Sequence, residues 1–405
     1  MDAICIMSTT QQLLIAGGGI GGLAAALAAA RAGWEVRLFE RALEFAEVGA
    51  GVQLGPNVTR ILCGWGLERP LAATAAFPER LQVRNAVSGA ELGVLPLGRQ
   101  AFDRYGAPYA TIHRADLHMM LCTAVMGRAE AHVNRNHEVD GFQDDGQAVT
   151  LSVAGKQIEG DALLGADGVW SRVRQQLLND GPPRVTGHLA YRAMLNQAAL
   201  PQALRTSQVT AWLGPRLHVV QYPVRGGGEW MNVVAIVLGQ PPADLQNWDH
   251  SANAADLQRA TGAMCAPLRD LLAAVPQASV NQHPWRLWAL ADRAPVRAAD
   301  RMARGRVALL GDAAHPMRPY LAQGAGMAIE DAFELARSLA MDAVEVPARL
   351  ARYAQARWQR VARVQARSIL NGQIFHATGL PRAGRDASIR LLGERLLDLP
   401  WLYGG

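Results

Sequence analysis

The chain has 405 residues, half of them hydrophobic and 19% charged, which is typical of a globular protein large enough for two joined domains. Its net charge is +5, and arginine carries nearly all of the positive charge because Lys156 is the only lysine. The arginines are spread along the chain without a long basic run, so the pattern favours anionic small molecules over nucleic acid.

The cysteines and histidines of the sequence bear on metal binding and on location. The four cysteines lie far apart with no CxxC pair, and the ten histidines form no HExxH motif, which argues against a zinc site or a disulfide framework. Residues 13–30 are uncharged and long enough for a membrane span, but glycines crowd their first half, where a spanning helix would use Leu or Ile. We therefore predict no metal, no membrane span and a cytoplasmic location.

The first predicted elements are a strand, a turn, a helix and a second strand. Leu13–Ala16 is a short apolar strand, Leu23–Arg31 an alanine-rich helix that stops before a glycine, and Glu35–Glu40 an alternating strand. This order over about 30 residues has the size of one βαβ unit.

The turn of this unit contains a GxGxxG motif. We expect Gly17 to make the tight turn, Gly19 to let a pyrophosphate approach the backbone, and Gly22 to pack the helix on the strand. The helix N-terminus supplies free N–H groups, and Glu40, followed by Arg41, can accept a hydrogen bond from a ribose hydroxyl. The motif predicts a dinucleotide site without distinguishing NAD from FAD. The alternative is a glycine-tolerant turn before a packing helix.

The rest of the chain alternates strands and helices, with neither internal repeats nor a low-complexity linker. Strands are predicted at Val149–Val153, Ile158–Leu164, Val209–Leu213, Leu217–Val224, Trp230–Val237 and Arg306–Leu310. Helices are predicted at Ser171–Leu178, Gly326–Met341 and Pro347–Ile369.

Two further motifs follow predicted strands. Gly165-Ala166-Asp167-Gly168 precedes a helix, and Gly311-Asp312-Ala313-Ala314-His315-Pro316 leads to residues 319–326, which open another helix. GxGxxG, then DG, then GD followed by HP resembles, in this order, the single-component FAD-dependent aromatic hydroxylases, the salicylate and hydroxybenzoate hydroxylase family. The resemblance extends from about Leu13 to the C-terminal Trp401-Leu402-Tyr403-Gly404 and favours FAD over NAD.

The resemblance implies a mixed α/β fold in which a Rossmann-type FAD-binding domain is interleaved with a β-sheet substrate domain and followed by C-terminal helices. Residues 12–75, 114–180 and 291–345 would form the FAD-binding domain, 76–113 and 181–290 the substrate-binding sheet, and 346–405 the helical region.

Several residues outside the glycine motif are implied to contact FAD. Asp312, at a strand end, would accept hydrogen bonds from the ribityl chain. The N–H groups of Gly324, Ala325 and Gly326, at a helix N-terminus, would stabilise negative charge on the reduced flavin, and a side chain there would block close approach.

The remaining residues implied to bind the cofactor lie in two loops and at one helix start. Val52 and Gln53, in the Gly49–Gln53 loop, would lie beside the isoalloxazine, and Arg114 and Asp167 would complete the set. The alternatives are a surface arginine for Arg114 and a plain turn aspartate for Asp167.

The resemblance implies a monooxygenase that uses O2 and NADH or NADPH to hydroxylate a small phenolic or hydroxy-heteroaromatic carboxylate through a flavin C4a-hydroperoxide. One dinucleotide cradle suffices, because the nicotinamide coenzyme binds transiently in this family without a second Rossmann domain. The sequence leaves open the coenzyme, the position hydroxylated, an accompanying decarboxylation and the oligomeric state, for which a homodimer is our working hypothesis.

The candidate catalytic residues are His218, Tyr222 and Tyr320. The period of two puts His218 and Tyr222 on one strand face, with Cα atoms roughly 13 Å apart. Family members with hydroxybenzoate-like or hydroxypyridine substrates resemble this His-x-x-x-Tyr arrangement, which implies His218 as the base for the ring hydroxyl and Tyr222 as its partner. The alternatives are an inner-sheet histidine and a core tyrosine. Tyr320 is expected to face the flavin ring.

Two observations concern the substrate. Decarboxylating hydroxynicotinate enzymes of the family tend to carry histidines where this chain has Gln53 and Tyr320, so we favour a phenolic carboxylate over a hydroxypyridine. Arg192 is a candidate partner for the carboxylate, although the more common use of such a residue is on the surface.

Three other functions explain less of the sequence. A flavin-dependent halogenase needs a catalytic lysine and a Trp-x-Trp-x-Ile-Pro run, but Lys156 lies in a predicted hairpin turn and Trp285-x-x-Trp288 has a different spacing. An NAD-dependent dehydrogenase accounts only for the first motif. A non-enzymatic flavin-binding redox sensor would not need His218, Tyr222 and Tyr320 together.

Overall fold

The computed structural model describes residues 10–45, 50–247, 250–252, 254–279 and 283–404, so Gly49 of the predicted flavin loop lies outside the described residues. The described strands are β1 Gln12–Ala16, β2 Glu35–Glu40, β3 Gly51–Leu54, β4 Arg80–Asn85, β5 Glu91–Pro96, β6 Ala110–His113, β7 Ala131–Arg135, β8 Val139–Asp144, β9 Val149–Val153, β10 Lys156–Gly160, β11 Ala162–Gly165, β12 Arg184–Asn196, β13 Val209–Gly214, β14 Leu217–Val224, β15 Trp230–Leu238, β16 His250–Ala252, β17 Trp285–Asp292, β18 Ala303–Arg304 and β19 Val307–Leu309. The described helices are α1 Ile20–Arg31, α2 Pro56–Gly64, α3 Glu68–Thr74, α4 Gly98–Tyr105, α5 Arg114–Met126, α6 Arg172–Leu178, α7 Ala254–Thr261, α8 Ala266–Ala278, α9 Gly324–Leu339, α10 Val346–Phe375, α11 Gly379–Leu392, α12 Glu394–Leu397 and α13 Pro400–Tyr403.

A six-stranded sheet carries the glycine motif. Its strand order is β18-β19-β11-β1-β2-β7, and β1 lies parallel to both β11 and β2. Leu13, Leu14 and Ile15 of β1 are fully buried, as expected for a parallel sheet covered on both faces. The predicted βαβ unit is confirmed, and α1 begins at Ile20, inside the glycine motif, three residues before the predicted start.

An eight-stranded sheet, in the order β16-β17-β12-β15-β14-β13-β4-β5, forms the second layer. The predicted meander is confirmed, because β13, β14 and β15 pair as antiparallel neighbours. Val219 and Val233 point to one face, where they share a core cluster with Leu271 and Val275 of α8. The opposite face of β14 carries His218 and is free of this helical cover.

One predicted strand was wrong. Ile158–Leu164 is divided between β10, which pairs with β9 in a three-stranded sheet, and β11, which lies beside β1. The chain changes sheet at Gly160-Asp161. A Cβ at residue 160 would come within 2.7 Å of the Leu14 side chain, and the Asp161 carboxylate accepts from the Gln12 N–H (2.7 Å).

The helices differ from the predictions at their ends. α9 begins at Gly324, and α10 continues six residues past the predicted Ile369 to Phe375, which carries the chain to the eight-stranded sheet. Among the helices that the structure describes, none combines the length and the apolar composition that a bilayer crossing requires. The boundaries of the predicted domains stay a prediction.

Candidate active site

The glycine turn between β1 and α1 leaves space for a ligand at one of its three motif positions. Gly17 has φ +104°, and a Cβ there would come within 2.5 Å of the Ala166 carbonyl oxygen. A Cβ on Gly22 would overlap the Gly17 carbonyl. Around Gly19, which has an ordinary extended backbone, no atom lies within 4 Å of the position of a Cβ. The open space at the N-terminus of α1 fits a phosphate group.

Glu40 lies over this turn, at the end of β2. Its carboxylate accepts hydrogen bonds from the N–H groups of Gly18 (2.7 Å) and Ala42 (2.8 Å), which orient it beside the open space, and Arg41 is exposed next to it. His118 of α5, which the sequence did not single out, hydrogen-bonds the Gly18 carbonyl through Nε2 (2.8 Å). The turn is therefore held from both sides, and the residues present fit the adenosine end of FAD.

Replacing Gly19 with valine is expected to remove FAD without unfolding the protein. A Cβ at residue 19 would have no protein atom within 4 Å, but the added side chain would occupy the space that a pyrophosphate needs. We expect purified wild-type protein to carry one FAD per chain and Gly19→Val to carry little, with an unchanged far-ultraviolet circular dichroism spectrum. Gly22→Ala is the matched variant that should damage folding itself. Full flavin content in Gly19→Val would contradict this assignment of the cradle.

Asp167 of the DG motif is used within the protein. Its carboxylate accepts from the Ser171 hydroxyl and from the N–H groups of Arg172 (2.8 Å) and Val173 (3.2 Å), so it caps the N-terminus of α6. The same loop places the Ala166 carbonyl against Gly17. Asp167 thereby supports the glycine turn, and its direct contact with FAD stays a prediction.

Asp312 and the start of α9 form the other end of the cofactor cleft. Asp312 is exposed, and its Oδ1 lies 4.0 Å from the position of a Cβ on Gly324. Although the Asp312 side chain reaches solvent, desolvation by the protein atoms packed around its carboxyl raises its pKa, against the effects of His315 and Arg114, which places Arg114 within electrostatic range. These residues fit the ribityl and flavin end of FAD.

The two glycines at the start of α9, Gly324 and Gly326, differ in whether packing requires a glycine. A Cβ on Gly326 would come within 2.9 Å of the Val58 side chain, so this position is required for packing α9 on α2. Gly324 and Ala325 are half-buried at the first turn, where backbone N–H groups lack intrahelical acceptors. The predicted flavin contact of all three stays a prediction, but only at Gly326 does the fold itself require glycine.

A buried charge network, which we call the Asp331 network, anchors the GD–HP loop to α9 and α10. It comprises His315, Glu330, Asp331, Arg357 and Arg360. Asp331 accepts from His315 Nε2 (2.6 Å), from Arg357 Nε (2.7 Å) and from the Gly311 N–H (3.1 Å). The histidine of the HP motif is therefore a structural residue that ties the loop to α9 and α10, a role that the sequence did not reveal.

On the face of the eight-stranded sheet that carries His218, two neighbouring valines are only partly buried and form an apolar floor. Every residue of β14 is buried except Val220, and Val234, its cross-strand partner on β15, is also only partly buried. His218 and Tyr222 flank Val220 on the same face. An apolar floor with a histidine at one end and a tyrosine at the other fits a small aromatic ring.

Tyr222 faces the predicted flavin loop. The Tyr222 ring lies against Gly51 of β3, where a Cβ would come within 2.5 Å of it. Gln53, also in β3, accepts from the Tyr109 hydroxyl (2.6 Å). Burial raises the pKa of Tyr222, against a smaller opposing effect of Gln53. The phenol therefore stays protonated and is available as a hydrogen-bond donor.

His218 belongs to what we call the histidine cluster: His188, His218, Tyr320 and His376. Its Nδ1 is 2.8 Å from Nε2 of His376, and its ring centroid is 5.0 Å from that of Tyr320. Burial lowers the pKa of His218 well below its ordinary value, and His376 and His188 lower it further. His218 is therefore neutral at neutral pH, the state that a general base requires.

Tyr320 packs into this cluster. Its hydroxyl hydrogen-bonds His188 Nδ1, and its ring contacts Gly372 of α10, where a Cβ would lie 2.7 Å away. Burial raises the pKa of Tyr320. The structure thus brings Tyr320 to His218, and its predicted position facing the flavin stays a prediction.

Arg192 is not a surface residue. It is 1% exposed, and its guanidinium lies 4.4 Å from the ring centroid of Trp288. It pairs with Val234 across β12 and β15, so it lies on the same sheet face as the apolar floor of Val220 and Val234. The surface interpretation was wrong because β12, which runs through the sheet centre, was not predicted.

Within the described ranges, no group of three or more His, Cys, Asp or Glu side chains has the arrangement of a metal site.

Comparisons with known proteins show the family to which the chain belongs. The family described as FAD binding domain matches residues 10–368. The chain is 37% identical to the 3-hydroxybenzoate 6-hydroxylase of Polaromonas naphthalenivorans (strain CJ2), over 97% of this chain and 95% of that protein. It is 36% identical to the 6-hydroxynicotinate 3-monooxygenase of Bordetella bronchiseptica, over 89% and 91% of the two chains. A solved salicylate hydroxylase substrate complex superposes with a TM-score of 0.81 at 27% identity, covering 98% and 96%.

Proposed function

Because the chain belongs to the family of FAD-dependent aromatic hydroxylases, we propose that its substrate is a small phenolic carboxylate of the hydroxybenzoate class. The protein is an FAD-dependent aromatic-ring monooxygenase that uses O2 and NAD(P)H. The observation that carries the substrate proposal is the apolar floor at Val220 and Val234 between His218 and Tyr222.

The residues of the apolar floor and its two ends have different roles towards such a ring. His218, neutral and buried, takes the proton from the ring hydroxyl through Nε2, because its Nδ1 is already engaged with His376. Tyr222, held protonated, donates a hydrogen bond to the ring hydroxyl or to the carboxylate. Val220 and Val234 exclude water from one face of the ring. When bound, FAD supplies the redox chemistry, accepting hydride from NAD(P)H and transferring one oxygen atom from O2 to the activated ring.

A phenolic ring fits this site better than a hydroxypyridine. Neither residue 53 nor residue 320 is a histidine in this chain. The Gln53 side chain accepts from the Tyr109 hydroxyl, and the Tyr320 hydroxyl is hydrogen-bonded to His188. Three of the similar proteins are named 3-hydroxybenzoate 6-hydroxylases, which supports the hydroxybenzoate class. The position hydroxylated and any loss of the carboxylate follow from identifying the product.

A panel of aromatic acids tests the proposal. We expect slow NAD(P)H oxidation in the absence of an aromatic compound, and strong stimulation with product formation by one or more monohydroxybenzoates. Stopped-flow reduction with NADH and with NADPH identifies the coenzyme. The matched compounds are benzoate, which lacks the ring hydroxyl, and 6-hydroxynicotinate. Stimulation and hydroxylation by 6-hydroxynicotinate alone would overturn the phenolic assignment.

The other functions considered from the sequence are disfavoured by the same residues. A redox sensor has no use for a neutral buried histidine beside an open apolar floor. Lys156, the lysine that a halogenase would need, is exposed in β10 of the three-stranded sheet. The cytoplasmic location and the homodimer stay predictions.

A further inference from the structure

Two hydrogen bonds arrange the histidine cluster into two pairs that stack on each other. One pair is His218 with His376, and the other is Tyr320 with His188. The rings of His188 and His376 stack with centroids 4.9 Å apart and an interplanar angle of 25°. His376 is the first residue after α10, so the C-terminal helices supply a side chain that contacts the candidate base.

The position of His376 is fixed by its surroundings. Its carbonyl oxygen accepts from the Arg216 N–H (3.1 Å), and Arg385 Nη1 donates to the neighbouring carbonyl oxygen of Phe375 (2.8 Å). The His376 side chain is 8% exposed. A ring held this firmly presents one defined nitrogen, Nε2, to His218.

Both rings are neutral at neutral pH. Burial lowers the pKa of His218 well below its ordinary value, and burial, with further effects of His188, Arg318 and Arg385, lowers the pKa of His376 to about 3. A hydrogen bond between two neutral imidazoles needs one N–H donor and one lone-pair acceptor. The direction of this bond therefore fixes the tautomer of His218.

The two directions have opposite consequences for catalysis. If His376 Nε2 donated, the His218 proton would lie on Nε2, and that nitrogen could not accept another. If His376 Nε2 accepts, His218 carries its proton on Nδ1 and keeps a lone pair on Nε2, while the proton of His376 lies on its own Nδ1, which is buried without a hydrogen-bond partner among the described residues. The orienting aspartate of a catalytic triad selects the tautomer of its histidine by the same rule.

We propose that His376 is a positioning residue for hydroxylation, which accepts the Nδ1 proton of His218 and so keeps the Nε2 lone pair of His218 available to the ring hydroxyl. This inference rests on the proposed role of His218 as the base. In the step, the O–H bond of the ring hydroxyl breaks and an N–H bond forms at His218 Nε2. The resulting imidazolium continues to donate to His376 through Nδ1, and it returns its extra proton to solvent after turnover.

The test uses FAD-loaded protein and a hydroxybenzoate that the panel shows to be a substrate. His376→Phe and His376→Leu remove the acceptor, whereas the amide oxygen of His376→Gln can replace it. We expect the first two variants to lower kcat by about 10²-fold, within the range that a general base contributes, with KM for the ring and FAD content within about twofold of wild type. The kcat of His376→Gln should be at least about tenfold higher than the kcat of His376→Phe and His376→Leu.

A fluorinated analogue separates positioning from a purely structural role. If its hydroxyl is ionised at the assay pH, no base is needed, and the phenylalanine and leucine variants should turn it over at nearly the wild-type rate. His250→Phe, a half-buried histidine on β16 outside the cluster, is the matched control and should behave as wild type on both compounds.

Three outcomes are decisive. Equal losses on the ordinary and the ionised substrate, or no recovery with glutamine, would overturn the positioning role. Wild-type kcat in both acceptor-free variants, with His218→Asn slow, would overturn this inference and leave the proposed function intact. Wild-type hydroxylation in His218→Asn would instead overturn the base assignment on which it rests.

Discussion

Replacing His218 with asparagine is expected to slow hydroxylation by roughly 10²–10⁴-fold, the range that proton abstraction by a positioned side chain contributes. His218 is neutral, buried, and at one end of the apolar floor, so its loss leaves a ring that binds but is not ionised. Asparagine keeps a polar group beside His376, which limits repacking. FAD content and the KM for the ring should change little.

The coupling of NAD(P)H oxidation to hydroxylation is a second measurement for this variant. NAD(P)H oxidation should continue when the aromatic compound binds, but its electrons should appear as hydrogen peroxide instead of hydroxylated product. Peroxide and product are therefore quantified together, per NAD(P)H consumed. Tyr222→Phe is the matched variant on the same strand face, and it should raise the KM for the ring more than it lowers kcat.

Full coupling at the wild-type rate in His218→Asn would show that the base lies elsewhere. Tyr320, the other candidate, is poorly suited to that role. Burial raises its pKa, and its hydroxyl is engaged with His188. Such an outcome would instead favour a substrate whose hydroxyl ionises without help from the protein.

The parts of this fold that the sequence predicted well are those with a local period or a local turn. The two-residue period of a β-strand predicted that His218 and Tyr222 lie on one face of β14. The register with β15 confirms this, because the two residues pair with Ile236 and Asn232. The glycine motif predicted β1 and α1, although its glycines differ in what surrounds them: Gly22 packs against the Gly17 carbonyl, Gly17 against the distant Ala166 carbonyl, and Gly19 faces open space.

The parts that the sequence did not predict depend on contacts between distant segments. His218 and His376 are 158 residues apart, and the sequence around each histidine is ordinary for a strand and for a helix end. The burial of Arg192 was not predicted because β12 was missed, and its position between β15 and β17 is a property of the assembled sheet; its role as a carboxylate partner stays a prediction. Pairing of this kind is set by tertiary packing, which local propensity does not encode.

Replacing Asp331 with asparagine is expected to destabilise the protein by about 3–5 kcal/mol, the cost of breaking a buried ion pair by removing one partner. Asp331 and His315 are fully buried, and Arg357 is nearly so. Without the carboxylate, Arg357 keeps Glu330 but loses its Asp331 contact, and the Gly311 N–H loses a charged acceptor. Urea denaturation of wild type and variant measures the difference.

Glu334→Gln on the same helix is the matched control. Glu334 pairs with Arg337 at the surface (3.0 Å), where the arginine side chain is 67% exposed, so its loss should cost only about 0.2–1 kcal/mol. Because the Asp331 network holds the GD–HP loop, Asp331→Asn should also lower FAD retention, whereas Glu334→Gln should not. Equal stabilities of the two variants would contradict the role given to the network.

The pH dependence of this difference has a defined sign. Burial alone would raise the pKa of Asp331, but His315 and Arg357 outweigh it and lower the pKa from 3.8 to about 2. A carboxyl whose pKa is lower in the folded state contributes its full stability above about pH 4 and loses it as the pH falls towards 2. The gap in unfolding free energy between wild type and Asp331→Asn should therefore narrow as the pH falls from about 4 towards 2. A gap that stayed unchanged over this range would show that a group other than the Asp331 carboxylate sets it.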